Sequence, residues 1–130
     1  MSRDEIIARI DQFLACVARR DLAQARQYLA PDACIVFPPS RTFNSLEDMA
    51  ASMRARYRTI DKVRQRWDIW TRDDGATVVY NSGTLFGVNL HGVPFSDVRY
   101  LDRFELREGL IVRHEVWNDL AESGVLERTE

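Results

Sequence analysis

Hydrophobic positions recur every three or four places through the first third of the chain, and every second place thereafter. Ile6, Ile10, Phe13, Leu14 and Val17 share one side of a segment whose other side carries arginines and aspartates, the spacing of an amphipathic helix. Ser2 with Glu5 three places on gives that helix a capping box. Asp21 with Gln24 starts a second short helix bearing Leu22, Ala25, Tyr28 and Leu29, and Pro31 ends it. Residues 33–37 are apolar and partly β-branched, which predicts a strand that Pro38-Pro39-Ser40 breaks. Ser45 with Asp48 caps a third helix, with Leu46, Met49, Ala50, Met53 and Tyr57 on one face. Then the period becomes two. Val63, Trp67 and Ile69 share a face opposite Arg64, Arg66 and Asp68. Turns at Asp73-Asp74-Gly75, His91-Gly92 and Glu108-Gly109 separate strands over 76–90, 95–107 and 110–118. Helices over 3–58 followed by a sheet over 61–119 predict an α+β domain, helices gathered on one face of a curved antiparallel sheet. Residues 122–130 read as a loose tail.

Alternation singles out a site. In the strand over 95–107 the even positions Val98, Tyr100, Phe104 and Leu106 are apolar, so their face is the core face, and Asp102 sits among them. An aspartate is almost never fully buried without a partner. In the last strand Leu110, Val112, His114, Val116 and Asn118 share the better core face. A three-residue loop at 107–109, with Gly109 left-handed, pairs even with even. It sets Asp102 opposite His114, Phe104 opposite Val112, Tyr100 opposite Val116 and Val98 opposite Asn118. A two-residue loop would set buried residues against charged ones. Two readings of the pair are open: a satisfied structural contact, or an acid/base pair in a pocket.

Composition narrows the classes. The chain has 130 residues, a net charge of −2 and 45% hydrophobic residues, which fits one folded domain and excludes wholesale disorder. The balanced charge argues against a nucleic-acid partner, and no apolar run reaches the roughly 18 residues of a membrane span. Charges scattered through the first twenty residues leave no signal-peptide core, so a cytoplasmic location is expected. Cys16 and Cys34 make no disulfide framework, and His91 and His114 stand far apart, so neither a metal nor another cofactor is implied. Arg54, Arg56, Arg58, Arg64 and Arg66 read as a solvated helix face and outer strand face.

The segments FLACVARRDLAQARQYLAPDACIVFPP and YLDRFELREGLIVRHEVWND, in this order of elements, resemble the nuclear transport factor 2-like superfamily. That group includes ketosteroid isomerases, SnoaL-like polyketide cyclases and limonene epoxide hydrolases. The resemblance implies a cystatin-like cone, a curved sheet wrapped round a long helix with a pocket between them. In ketosteroid isomerases the general-base aspartate falls at Phe37, the oxyanion-hole tyrosine at Phe13, and the protonated aspartate at Asp102. Only the last is kept, so that steroid mechanism is not expected. The last-strand aspartate of limonene epoxide hydrolases falls near Val116. SnoaL-like cyclases carry acid/base groups on these late strands, by analogy Asp102 and His114.

The expected function is that of a small-molecule pocket protein, an acid/base isomerase, cyclase or lyase for a small apolar carbonyl or enol compound. Asp102 and His114 would shift the proton. Tyr100 and Asn118 would orient a polar group, and Phe37, Phe13, Trp67 and Val116 would line the pocket. A non-catalytic binding or dimerisation module of the same fold is the alternative. The outer sheet face carries Leu101, Ile111 and Trp117 among Arg99, Arg103, Arg113 and Glu115. That mixture predicts a homodimer through the sheet.

Overall fold

A computed structural model describes residues 1–129. Helix α1 (Arg3–Ala18) opens on the Ser2–Glu5 capping box, and α2 (Leu22–Ala25) on Asp21, followed by a 3-10 turn over Arg26–Tyr28. Strands β1 (Leu29–Phe37) and β2 (Arg41–Phe43) precede α3 (Leu46–Arg54), which Ser45 caps. Strands β3 (Tyr57–Thr71), β4 (Thr77–Asn89), β5 (Pro94–Arg107) and β6 (Leu110–Asn118) follow. The chain closes with α4 (Leu120–Ser123) and a 3-10 turn over Val125–Glu127. The six strands form one curved, unclosed sheet in the order β2-β1-β6-β5-β4-β3. Only the β1–β6 pair is parallel.

The core fills the space between the helices and the concave face. Ile10 and Phe13 of α1 are fully buried. Phe13 meets Phe104 edge-on at 6.3 Å and Tyr28 at 6.4 Å, an arrangement that adds to the burial of each ring. From α3, Leu46, Met49 and Met53 join the same cluster. Among the described residues no helix is long and apolar enough to cross a membrane.

The antiparallel pairs among β3, β4, β5 and β6 depart from simple alternation at four bulges. In β6 the register passes from Leu106↔Ile111 to Glu105↔Arg113, leaving Val112 unpaired. The β5–β6 loop is therefore not the expected three-residue one. It is the two-residue turn Glu108-Gly109, with φ of 51° and 79°, as a type I′ hairpin requires. The bulge restores the parity that such a short loop would otherwise break. It also turns Ile111 inward, 2% exposed, so Ile111 does not belong to the outer face. In β5, Ser96 and Asp97 oppose the single Phe86, and Asp97 takes a φ of 61°. In β3, Arg58 and Gln65 are the extra residues. Gly83 lies against the second of these. A Cβ there would stand 1.9 Å from the Val63 carbonyl oxygen, so only glycine fits.

Two boundaries also differ from expectation. Tyr57 does not end α3 but starts β3, because α3 stops at Arg54 and the chain extends two residues on. The tail is docked and not loose: Leu120 and Val125 are buried, and the Asn89 amide donates to the carbonyls of Val125 and Arg128.

Candidate functional site

A cavity of about 70 Å³ lies between α1, α3 and the concave face of the sheet. Leu14, Val17, Met49, Met53, Leu85 and Val116 make most of it apolar. Ser52, Arg56, Tyr57, Asp61, Lys62, His114 and Asn118 are its polar lining residues.

Behind the wall sits Asp102, fully buried. Its Oδ2 pairs with Lys62 Nζ and lies 3.6 Å from His114 Nε2. Its Oδ1 has no hydrogen-bond partner, and neither has either ring nitrogen of His114. Unsatisfied buried groups of this kind are rare in folded proteins. The His114 ring stacks on Phe104 at 4.2 Å and meets Phe13 edge-on at 5.9 Å. These contacts fix the imidazole plane without using its nitrogens. The Lys62 ammonium lies over the Tyr100 ring, 4.9 Å from its centre, a favourable place for a cation. The Tyr100 hydroxyl donates to Asn81 Oδ1 at 2.6 Å, and the Asn81 amide donates to the Arg66 carbonyl. Both Asn81 and Asp102 sit on the inner face, side by side across β4 and β5.

The protonation states follow from this packing. Burial pushes the Asp102 carboxyl up, but the Lys62 ammonium and His114 together hold it below the ordinary carboxylate value. Burial lowers His114 below its ordinary 6.5; Asp102 opposes the shift and Lys62 adds to it. His114 is thus a neutral imidazole at pH 7, and Asp102 a carboxylate. Burial raises Tyr57 to about 12, and burial and then Asp102 raise Tyr100, so neither phenol ionises near neutrality.

The structure places the expected site residues unevenly. Tyr100, Asn118, Phe37, Val116 and His114 line the cavity. Asp102 is not in the wall but touches it through Lys62 and His114. Phe13 and Trp67 are not at the cavity: Phe13 packs beneath His114, and Trp67 joins the core further along β3. The Asp102–His114 contact is diagonal, since the residue opposite His114 is Phe104 and the one opposite Asp102 is Val116. The Tyr100 hydroxyl is committed to Asn81, so the residue offers the cavity its ring. Asn118 uses its carbonyl oxygen to accept the Leu120 amide.

Sequence reasoning missed Lys62, Tyr57 and Arg56. The Gln65 bulge reverses the parity of β3. Before it, Lys62 and Arg64 face inward and Val63 is 46% exposed; after it, Trp67 and Ile69 face inward. Arg64 is accordingly not on the outer face, and pairs with Asp11 of α1. The paired glycines Gly83 and Gly87 in β4, each pressed against a β3 carbonyl at a bulge, were the available signal. Among the described residues no group of three His, Cys, Asp or Glu side chains could hold a metal ion.

Residues 10–114 match the family model of the SnoaL-like domain. No curated protein matches the chain. Among solved structures, an NTF2-like protein of unknown function from Burkholderia pseudomallei K96243 superposes with a TM-score of 0.77 at 18% identity, covering 97% of this chain and 98% of its own. TerC, co-crystallised with polyporic acid, gives 0.75 at 18% identity over 95% and 98%. ActVI-ORFA from Streptomyces coelicolor gives 0.71 at 15% identity over 89% and 96%. At these identities the likeness concerns the fold.

Proposed function

Because the chain belongs to the SnoaL-like domain family, we propose that its cavity takes a small, mostly apolar carbonyl or enol compound and that His114 moves a proton on it. One observation carries this reading. A neutral imidazole, both nitrogens unpartnered, lines an apolar cavity while a carboxylate–ammonium pair stands at its back. An imidazole so placed accepts a proton from the carbon beside a carbonyl, as a general base. The C–H electron pair moves into the new C=C bond, and the carbonyl oxygen gains the negative charge. Lys62, which also lines the cavity, is the cation available to that oxygen. Asp102, 3.6 Å from Nε2, stabilises the imidazolium that forms, and so acts as a positioning residue. Return of the proton to another carbon gives isomerisation. Attack of the enolate carbon on a second carbonyl gives cyclisation. TerC, of the same fold, was co-crystallised with polyporic acid, which supports occupancy of such a pocket by a small molecule.

The test needs no knowledge of the natural substrate. Small enolisable ketones in deuterium oxide should lose their α-proton NMR signals faster with the protein than with buffer. The alternative is a binding module without catalysis, and the phenylalanine at the isomerases' base position, Phe37, favours it. Ligand binding with no exchange above buffer would select that alternative.

We further propose a homodimer through the outer sheet face. Trp117 is 48% exposed and Trp70 44%, around a lattice of ion pairs joining Arg103 to Glu105 and Glu115. Aromatic and arginine side chains in such a mixture suit an isologous contact. Sedimentation equilibrium at micromolar concentration should give the mass of two 15.1 kDa chains, and Trp117→Glu should halve it. The mass of one chain for the unmodified protein would refute the dimer.

A further inference from the structure

The wall of the cavity formed by α3 and the turn after β1 holds two arginines that the proton chemistry does not use. Arg56 lines the cavity directly. Arg41, on β2, is fixed against that wall. Its Nε donates to the Pro38 carbonyl at 2.9 Å and its Nη1 to Ser52 Oγ at 2.6 Å, and Pro38 and Ser52 both line the cavity. Its Nη2 is buried with no partner. Burial lowers the affinity of Arg41 for its proton, the neighbouring charge of Arg56 lowers it further, and Tyr57 opposes them in part. By contrast, Lys62 and Arg64 each have an aspartate.

A buried guanidinium donor without an acceptor is costly, and two like charges at one apolar wall add repulsion. Both costs are relieved by an anion. A carboxylate suits a guanidinium best, since its two oxygens match the planar fork of donors. Ser52 is oriented by Arg41, which donates to its oxygen and leaves the hydroxyl hydrogen available to a ligand oxygen. Beside them, Leu14, Val17, Met49 and Met53 offer an apolar bed.

We propose that the corner formed by Arg41, Ser52 and Arg56 anchors the carboxylate of a small organic acid, whose apolar body lies over the α1 and α3 side chains. The proposal rests on the reading of the cavity as a small-molecule site, and narrows its occupant to an acid. The anchored end is then distinct from the reacting carbon, which belongs beside His114 and Lys62 on the sheet. The cavity's volume of about 70 Å³ restricts the acid to a short chain or a single ring.

The experiment compares propanoate, hexanoate and phenylacetate with their uncharged amides, by calorimetric titration at neutral pH. At least one acid should bind, about tenfold or more tightly than its amide, as loss of a charge-assisted hydrogen bond to an ionised partner predicts. Arg56→Met should remove that preference and leave amide affinity unchanged. Arg41→Met should do the same where it folds, and Arg56→Met keeps the test decisive where it does not. Amides binding as tightly as acids would overturn the anchor while leaving the cavity reading intact. Acids binding equally well to the wild type and Arg56→Met would also overturn it. Failure of acids and amides alike would overturn both.

Discussion

Lys62→Met should lower the free energy of unfolding by about 3 kcal/mol, the lower end of the cost of stripping a buried ion of its partner. Asp102 has no exposed surface, and one of its oxygens already lacks a hydrogen bond. Without the ammonium, the carboxylate keeps only His114, at 3.6 Å and neutral. Lys62 retains some access to solvent, 18% of its side chain, so water replaces part of what is lost and the upper end of the range is not reached. Loss of the cation also lets burial raise the Asp102 carboxyl, so the deficit should shrink on acidification. Urea unfolding reads the effect, and Lys62→Met/Asp102→Asn should recover most of it because no buried charge remains. A single-variant loss under about 1 kcal/mol would mean that water already solvates Asp102.

His114→Gln should reduce protein-catalysed deuterium exchange by about 100- to 10,000-fold, the contribution of a positioned general base. Glutamine keeps a polar side chain at the position but cannot accept a proton near neutrality. It gives up the stacking on Phe104, so a modest loss of stability is expected alongside. Ligand affinity should change little, because the apolar bed on α1 and α3 is untouched. Exchange that survives in His114→Gln at the wild-type rate would move the base elsewhere in the cavity.

The legible parts of the molecule are those where local pattern and tertiary environment agree. The capping box of α1, the Ser45 cap of α3 and the three-and-four spacing of both needed nothing beyond the chain itself. So did the inward face of β5 from Val98 to Leu106, because Tyr100, Phe104 and Leu106 outvote a lone aspartate. The bulges were not legible. Each inserts one residue and reverses which side chains face the core, and nothing in Arg64-Gln65-Arg66 announces it. The same reversal hid Lys62, the partner that the burial of Asp102 demanded. At the β5–β6 hairpin two deviations offset one another: a shorter turn and the Val112 bulge. His114 therefore stayed on the predicted face, two residues out of the predicted register, still within diagonal reach of Asp102. Phe13 and Trp67 were misplaced for a simpler reason, since apolar aromatics on the inner face serve the core and a cavity wall equally well.

In the proposed chemistry His114 waits in the cavity as a neutral base. Nitrogen-15 NMR of histidine-labelled protein, titrated with pH and assigned through His114→Gln, measures that directly. The ring of His114 should be neutral at pH 7 and titrate below its ordinary 6.5. Proton uptake by His114 then favours the unfolded chain, so stability should fall as pH drops from about 6.5 towards that lower midpoint. An imidazolium at pH 7, with a midpoint above 6.5, would contradict this: it would make His114 a donor locked to Asp102 and remove it as the base.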